Sequence, residues 1–101
     1  MNNKQYCVYI LSNHSHTTFY IGVTNDIYRR LYEHKHKMND GFTAKYNTEK
    51  LLYCEFTDNI ENALNREKQL KNWHSQWKIN LIKSVNPEFK DISADIGYED
   101  L

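Results

Sequence analysis

The feature that most constrains the fold is the stretch 20–34, in which a predicted strand passes directly into a predicted helix. The strand ends near Gly22, because glycine interrupts a run of apolar residues there. Thr24 or Asn25 can cap the helix, which we expect to run to about Lys37. A short strand joined to an amphipathic helix by so few residues favours a small mixed domain in which the helix packs on a sheet.

The predicted helix carries two basic side chains on the face that should be buried. At 100° per residue, Ile27, Leu31 and Met38 define the apolar side. Arg30 and His34 fall inside the same arc. Burying basic groups is costly unless something anionic meets them. This pattern is therefore the first indication of a functional site.

Two further segments complete a predicted antiparallel sheet. Residues 6–11 are mostly β-branched or aromatic and predict a strand, and the chain then returns through a polar loop as a second strand over residues 19–23. Residues 50–56 predict a third strand. If the hairpin loop closes symmetrically after residue 14, Tyr9 lies opposite Tyr20 on one face of the sheet.

A second helix, predicted over residues 59–73, carries a carboxylate in its apolar stripe. Asp58 and Glu61 resemble a capping box at its start. The stripe is formed by three residues, Ile60, Ala63 and Leu64. Glu67 falls in the middle of it, where an unpaired carboxylate is expensive. It either binds a metal ion or forms an i,i+4 ion pair with Lys71.

The predicted fold class is α+β, a small three-stranded antiparallel sheet flanked by helices in the order ββ-α-β-αα. Ser75 is expected to cap the last helix, with Trp77, Leu81 and Ile82 as its anchors, and Pro87 stops it. We expect one domain over residues 1–90 and an acidic tail over 91–101 on the surface.

Charge and composition limit the classes of protein that are possible. The net charge is zero, but residues 66–83 carry a net charge of +4 and residues 84–101 one of −4. A basic segment beside an acidic one can attract a polyanion on one surface only. Two cysteines do not make a disulfide framework, and no apolar run could span a membrane. We expect a cytoplasmic protein with no membrane partner.

The residues that break the burial rules form a set suited to phosphodiester hydrolysis. A carboxylate can hold a divalent metal, an arginine can meet charge on phosphoryl oxygens, and a tyrosine or histidine can position or deprotonate water. The residues are Tyr9, Tyr20, Arg30, His34 and Glu67, with Gly22 leaving room at the tyrosines.

In order and spacing this set resembles the GIY-YIG nuclease superfamily, in particular its small single-domain bacterial members. Tyr20-Ile21-Gly22 matches the second half of the name, whereas Cys7-Val8-Tyr9 matches the first half only at its tyrosine. Arg30 lies eight residues beyond Gly22, as the family's arginine does, and His34 follows four residues later. The family's metal-binding glutamate corresponds to Glu67, and a supporting asparagine corresponds to Asn86.

The resemblance implies a metal-dependent endonuclease that hydrolyses DNA and acts in repair or recombination. Glu67 would bind one Mg²⁺ or Mn²⁺ ion, Tyr9 and Tyr20 would orient or activate water, and Arg30 would brace the transition-state charge. His34 would assist proton transfer or contact the phosphate, and Asn86 would steady the site. Without an attached DNA-binding domain, cleavage directed by substrate structure is more plausible than sequence-specific cutting.

DNA is the expected nucleic acid, more than RNA, and a protein partner could supply specificity. Six residues are candidates for contacts to the substrate: Lys35, Thr43, Lys45, Tyr46, Lys68 and Lys71. Two alternatives stay open: a non-catalytic nucleic-acid-binding module, and a protein-interaction domain that retains the fold.

Overall fold

The computed structural model describes residues 5–38, 41 and 45–99. The predicted substrate contact Thr43 lies outside the described residues. The strands are β1 (Tyr6–Ser12), β2 (Phe19–Thr24) and β3 (Lys50–Thr57). The helices are α1 (Ile27–Lys35), α2 (Ile60–Asn72) and α3 (Ser75–Val85), followed by a 3₁₀ turn at Ala94–Ile96. The predicted fold class and the order ββ-α-β-αα are confirmed.

The three strands form an antiparallel sheet in the order β2-β1-β3, so β1 is the central strand. The predicted hairpin register is wrong by two residues, since Tyr9 pairs with Gly22 and Leu11 pairs with Tyr20. A shift of two residues keeps every side chain on its face of the sheet. Tyr9 and Tyr20 therefore still share one face, as diagonal neighbours.

Side chains alternate along β1 and feed two separate cores, one on each face of the sheet. Val8 and Ile10 pack in one core with the buried residues of α2 and α3, among them Leu70. Cys7, Tyr9 and Leu11 pack in the other core with three residues from α1 and the C-terminal segment, Ile27, Leu31 and Tyr98. The sheet is thus covered on both faces, and Tyr9 lies on the α1 side.

The start and end of α1 differ slightly from the prediction. Asp26 caps the helix, because its Oδ1 accepts a hydrogen bond from the backbone N–H of Arg29, while Thr24 Oγ1 accepts one from the Asp26 N–H. The helix ends at Lys35. Met38 therefore lies beyond it and is 61% exposed, so its predicted place on the buried face is wrong.

The apolar faces of α2 and α3 are narrower than predicted. The buried residues of α2 are Ala63 and Leu70, whereas Ile60 and Leu64 are nearly half exposed. Ile82 alone is fully buried on α3, and Trp77 lies largely exposed.

The caps of these two helices also correct the prediction. Asn59, not Asp58, caps α2 by accepting a hydrogen bond from the N–H of Asn62. His74 occupies the N-cap position of α3, so Ser75 is its first helical residue. Asn86 ends α3 as expected.

The C-terminal segment packs against the domain, contrary to the expected surface tail. Ser93 and Tyr98 are buried, and the Ile92 N–H donates to the carbonyl of Leu51 on β3. The Tyr28 hydroxyl donates to the carbonyl of Ile96 at 2.6 Å. Residues 91–99 therefore cover the outer surface between α1 and β3. No helix in the described part of the chain is long and apolar enough to cross a membrane.

Candidate active site

Gly22 places the ring of Tyr9 at the centre of the candidate site. The two residues are directly paired across β1 and β2, and a Cβ atom at position 22 would overlap the Tyr9 ring and hydroxyl. Only glycine leaves the ring room to lie across the neighbouring strand. The space predicted above Gly22 is therefore taken up by Tyr9 itself.

Tyr9, Tyr20 and His34 form one aromatic cluster beneath α1. The Tyr9 hydroxyl and His34 Nε2 share a hydrogen bond of 3.3 Å, and the His34 ring lies 5.5 Å from that of Tyr20. The two tyrosine ring centroids are 6.3 Å apart. His34 reaches this cluster because it falls on the buried side of α1, as the helical wheel predicts.

The aromatic cluster and the neighbouring Arg30 differ in how far solvent can reach them. Tyr9 is 0% exposed and His34 is 2% exposed, whereas Tyr20 is half-buried. The Arg30 side chain is 33% exposed. Tyr20 and Arg30 are therefore the members that can present atoms to a ligand, while Tyr9 and His34 lie behind them.

Burial keeps both hidden groups neutral at pH 7. Desolvation and the charge of the nearby Arg30 together lower the pKa of His34 to about 4, although Glu33 acts in the opposite direction. Burial also raises the pKa of Tyr9 to about 12, although Arg30, a hydrogen-bonding neighbour of the hydroxyl, acts in the opposite direction. Desolvation is the larger effect, so the Tyr9 hydroxyl stays protonated at neutral pH.

Arg30 is the one cation held at this cluster among the described residues. Its Nη1 lies 3.3 Å from Glu33 Oε1, and its buried Nε has no hydrogen-bond partner in the described part of the chain. Arg29 instead points outward, as predicted, with a side chain that is 74% exposed. The guanidinium is partly exposed, so its outer donors are suited to binding an oxyanion.

An open cleft of about 440 Å³ begins at Arg30. Five further residues line it: Tyr6, Val23, Thr24, Asn25 and Ile60. Sequence reasoning did not single out this lining, because the residues come from β1, β2, the start of α1 and α2. The signal available was Asn25, a polar residue at the junction of strand and helix.

Glu67 lies on α2, which packs mainly on the other face of the sheet. Its side chain is 20% exposed, and Oε2 lies 3.3 Å from Lys71 Nζ, so the predicted ion pair is present. Ile60 lines the cleft, and Glu67 follows it by seven residues, so Glu67 lies on the same side of α2 about 10 Å further along. The carboxylate thus shares that side of α2 with Ile60, but it is neither among the residues that line the cleft nor part of the tyrosine cluster.

The surroundings of Glu67 suit a divalent metal that is bound mainly through water and substrate oxygens. Within residues 5–38, 41 and 45–99, no three His, Cys, Asp or Glu side chains lie close enough to hold one ion. Mg²⁺ in phosphoryl-transfer sites is held by one or two carboxylates together with waters and substrate phosphates. A lone half-buried carboxylate, paired only with an exposed lysine amine, suits that mode of binding.

Asn86 has a structural role that is visible in its hydrogen bonds. Its Nδ2 donates to the carbonyls of Leu52 at 3.1 Å and Lys90 at 2.9 Å, and its Oδ1 accepts from the Lys90 N–H. The buried amide therefore joins the end of α3 to β3. A part for Asn86 in the chemistry stays a prediction.

The predicted substrate contacts differ in their accessibility. Lys35 is used within the fold, since its Nζ donates to the Glu49 carbonyl at 3.0 Å and to Asp91 Oδ2 at 2.7 Å. The other described candidates lie on the surface, with Lys71 next to Glu67; they are Lys45, Tyr46, Lys68 and Lys71.

Comparison with known proteins identifies the class to which this geometry belongs. Residues 5–80 match the model of the GIY-YIG catalytic domain, which is most of the chain, so the protein is a member of the GIY-YIG nuclease family. The predicted family is thereby confirmed. Nucleases of this family act on nucleic acid and generally depend on a divalent metal. Asn86 lies beyond the matched residues.

Two relatives share nearly the whole length of the chain. A UPF0213 protein of Syntrophus aciditrophicus (strain SB) is 39% identical over 87 residues, which cover 85% of this chain and 97% of the relative. The solution NMR structure of a UPF0213 protein from Bacillus halodurans matches with a TM-score of 0.56 at 20% identity, covering 94% of this chain and 99% of that one. The second match shows the shared fold.

Proposed function

We propose that this protein is a metal-dependent endonuclease that hydrolyses phosphodiester bonds in DNA, directed by substrate structure and linked to repair or recombination. The observation that carries the proposal is the cluster of Tyr9, Tyr20 and His34 beside Arg30, whose side chain also borders an open cleft. These are groups that phosphodiester hydrolysis can use, and all of them lie within the residues that match the family's catalytic domain.

Within the proposal, Arg30 binds the scissile phosphate. The guanidinium remains charged at any working pH, and its fork of donors suits the equatorial phosphoryl oxygens. Charge grows on those oxygens in the transition state, so contacts that strengthen there accelerate the reaction. Arg30 needs no ion pair beyond Glu33 to stay in place, because the aliphatic stem lies in the partly buried face of α1.

The two tyrosines and His34 position the attacking water and handle its proton. Tyr20 is the accessible tyrosine and contacts the water. Tyr9 has a pKa of about 12 and does not ionise at neutral pH, but its hydroxyl can give its own proton to the neutral His34 at Nε2 while it accepts the proton that leaves the water, so that Tyr9 stays neutral. A histidine with a pKa of about 4 is a weak base, which limits the rate that this route supports.

Glu67 would hold the metal ion, Mg²⁺ or Mn²⁺, and Asn86 would keep the end of α3 aligned with the sheet. When bound, the metal would polarise the phosphate and stabilise the leaving oxygen. Lys71 would then give up its ion pair with Glu67 and turn toward substrate phosphates. The exposed Lys45 and Lys68 would also contact substrate phosphates.

The proposal is tested by incubating labelled duplex, single-stranded, flapped and branched DNA with the wild-type chain and with Glu67→Ala, in Mg²⁺ or Mn²⁺. We expect the wild type to cut flapped or branched DNA and Glu67→Ala to bind without cutting. Salt-dependent binding by both proteins without cleavage would replace the proposal with a non-catalytic nucleic-acid-binding module.

A further inference from the structure

The cleft beside Arg30 is lined by aromatic and aliphatic side chains together with an amide and a guanidinium. Tyr6 and Val23 come from the ends of β1 and β2, and Ile60 comes from the first turn of α2. Ile60 is 43% exposed although it is a large apolar residue, so its side chain faces the cleft and not a core. Asn25 contributes an exposed amide, and among the described residues Arg30 is the only charged one in the lining.

This combination is suited to a single nucleotide. An aromatic ring and two aliphatic side chains accept the flat face of a base, and an asparagine amide pairs with donors and acceptors on a base edge. The guanidinium of Arg30 binds the phosphate. A volume of about 440 Å³ falls in the range of small-molecule sites.

We infer that this cleft binds one unpaired nucleotide, with its base between Tyr6 and Ile60, its edge read by Asn25 and its phosphate on Arg30. The inference rests on the proposed function and adds to it, because it names the feature of the substrate that the enzyme recognises. The base must leave its stack to enter, which costs little where the strand is already unpaired. Flaps, branch points and single strands are therefore preferred over continuous duplex.

Binding is tested by NMR titration of the ¹⁵N-labelled full chain without metal. The added compounds are deoxyadenosine 5′-monophosphate, deoxycytidine 5′-monophosphate, deoxyribose 5-phosphate and deoxyadenosine. We expect saturable shifts at the backbone amides of Asn25 and Ile60 with either nucleotide. Deoxyribose 5-phosphate should shift signals near Arg30 without shifting Ile60, because it lacks the base.

Two pairs of variants separate the cleft from the rest of the surface. Ile60→Ala should weaken nucleotide binding about fivefold, since it removes apolar contact with the base. Leu64→Ala is its control, because Leu64 lies one turn along α2 with similar exposure and outside the cleft. Asn25→Ala should reduce the difference in affinity between the two nucleotides, whereas Asn62→Ala should leave it unchanged.

The outcomes also distinguish this inference from the proposed function. Identical shifts with the nucleotides and with deoxyribose 5-phosphate, or equal effects of Ile60→Ala and Leu64→Ala, would overturn the nucleotide cleft. Cleavage by the wild type with no saturable nucleotide shift would also overturn it and leave the nuclease standing. Saturable shifts without cleavage of any DNA would support the cleft and refute the nuclease.

Discussion

The buried imidazole of His34 makes a strong prediction about stability and pH. Its folded-state pKa of about 4 lies below the ordinary value of 6.5, because burial and Arg30 disfavour the charged form. The unfolded chain therefore binds the extra proton more readily between these two values. Stability contributed by the neutral imidazole is present above pH 6.5 and is lost as the pH falls toward 4.

The magnitude follows from these two pKa values. Between pH 7 and pH 5, His34 alone should lower the free energy of unfolding by about 2 kcal/mol, since each pH unit in this window corresponds to about 1.4 kcal/mol. His34→Gln removes the titration while its amide can still hydrogen-bond the Tyr9 hydroxyl. His14→Gln is the matched control, because the His14 side chain is 77% exposed in the hairpin loop.

The assay is urea unfolding of the three proteins at pH 7 and pH 5. We expect the wild type and His14→Gln to lose similar stability, and His34→Gln to lose about 2 kcal/mol less than either. If all three proteins lose the same amount, His34 is not the buried neutral histidine described here, and the proton route through it fails as well.

Three further predictions rest on single contacts. Gly22→Ala should lower the free energy of unfolding by about 1–3 kcal/mol in thermal unfolding, because the added methyl group overlaps the Tyr9 ring; an unchanged melting temperature would contradict the packing. Asn86→Ala should cost about 2–3 kcal/mol in the same assay, since three backbone groups lose their partner, and a cost near zero would remove its structural role. Arg30→Ala should slow DNA cleavage about 10²–10³-fold, whereas Arg29→Ala should not; equal effects would place the anion site elsewhere.

Much of the candidate site could be predicted because its signals are local. Arg30 and His34 stand out on one helical face, and Glu67 stands out on another, so the wheel alone marks them. Gly22 and Tyr20 are two residues apart on a strand and must share a face. Each of these conclusions needs only the period of one element.

The hairpin register could not be predicted in this way, because the loop sets it. Asn13 Oδ1 accepts hydrogen bonds from the N–H groups of Thr17 and Thr18, and His16 adopts a left-handed φ of 57°. These features move the centre of the loop by one residue and the pairing by two. Apolar alternation does not detect a shift of two residues, since it leaves both faces unchanged.

The packing of residues 91–99 depends on contacts between distant parts of the chain. Asp91 is held by Lys35 on one oxygen, while the N–H groups of Leu51 and Ser93 donate to the other. Partial burial alone would raise the pKa of this carboxyl, but Lys35 and the hydrogen bonds from Ser93 together lower the pKa below its ordinary value. A local pattern shows only an acidic stretch, so it predicts a surface tail.

The central claim is that the family's chemistry operates in this chain through Glu67, and metal dependence tests it most directly. Cleavage of a flapped DNA is measured over increasing Mg²⁺ for the wild type, Glu67→Gln and Glu61→Gln, which alters an exposed carboxylate on the same helix. We predict that the wild type and Glu61→Gln cut only with metal, and that Glu67→Gln does not cut at any concentration. Equal cleavage by Glu67→Gln, or cleavage that persists in EDTA, would contradict the account.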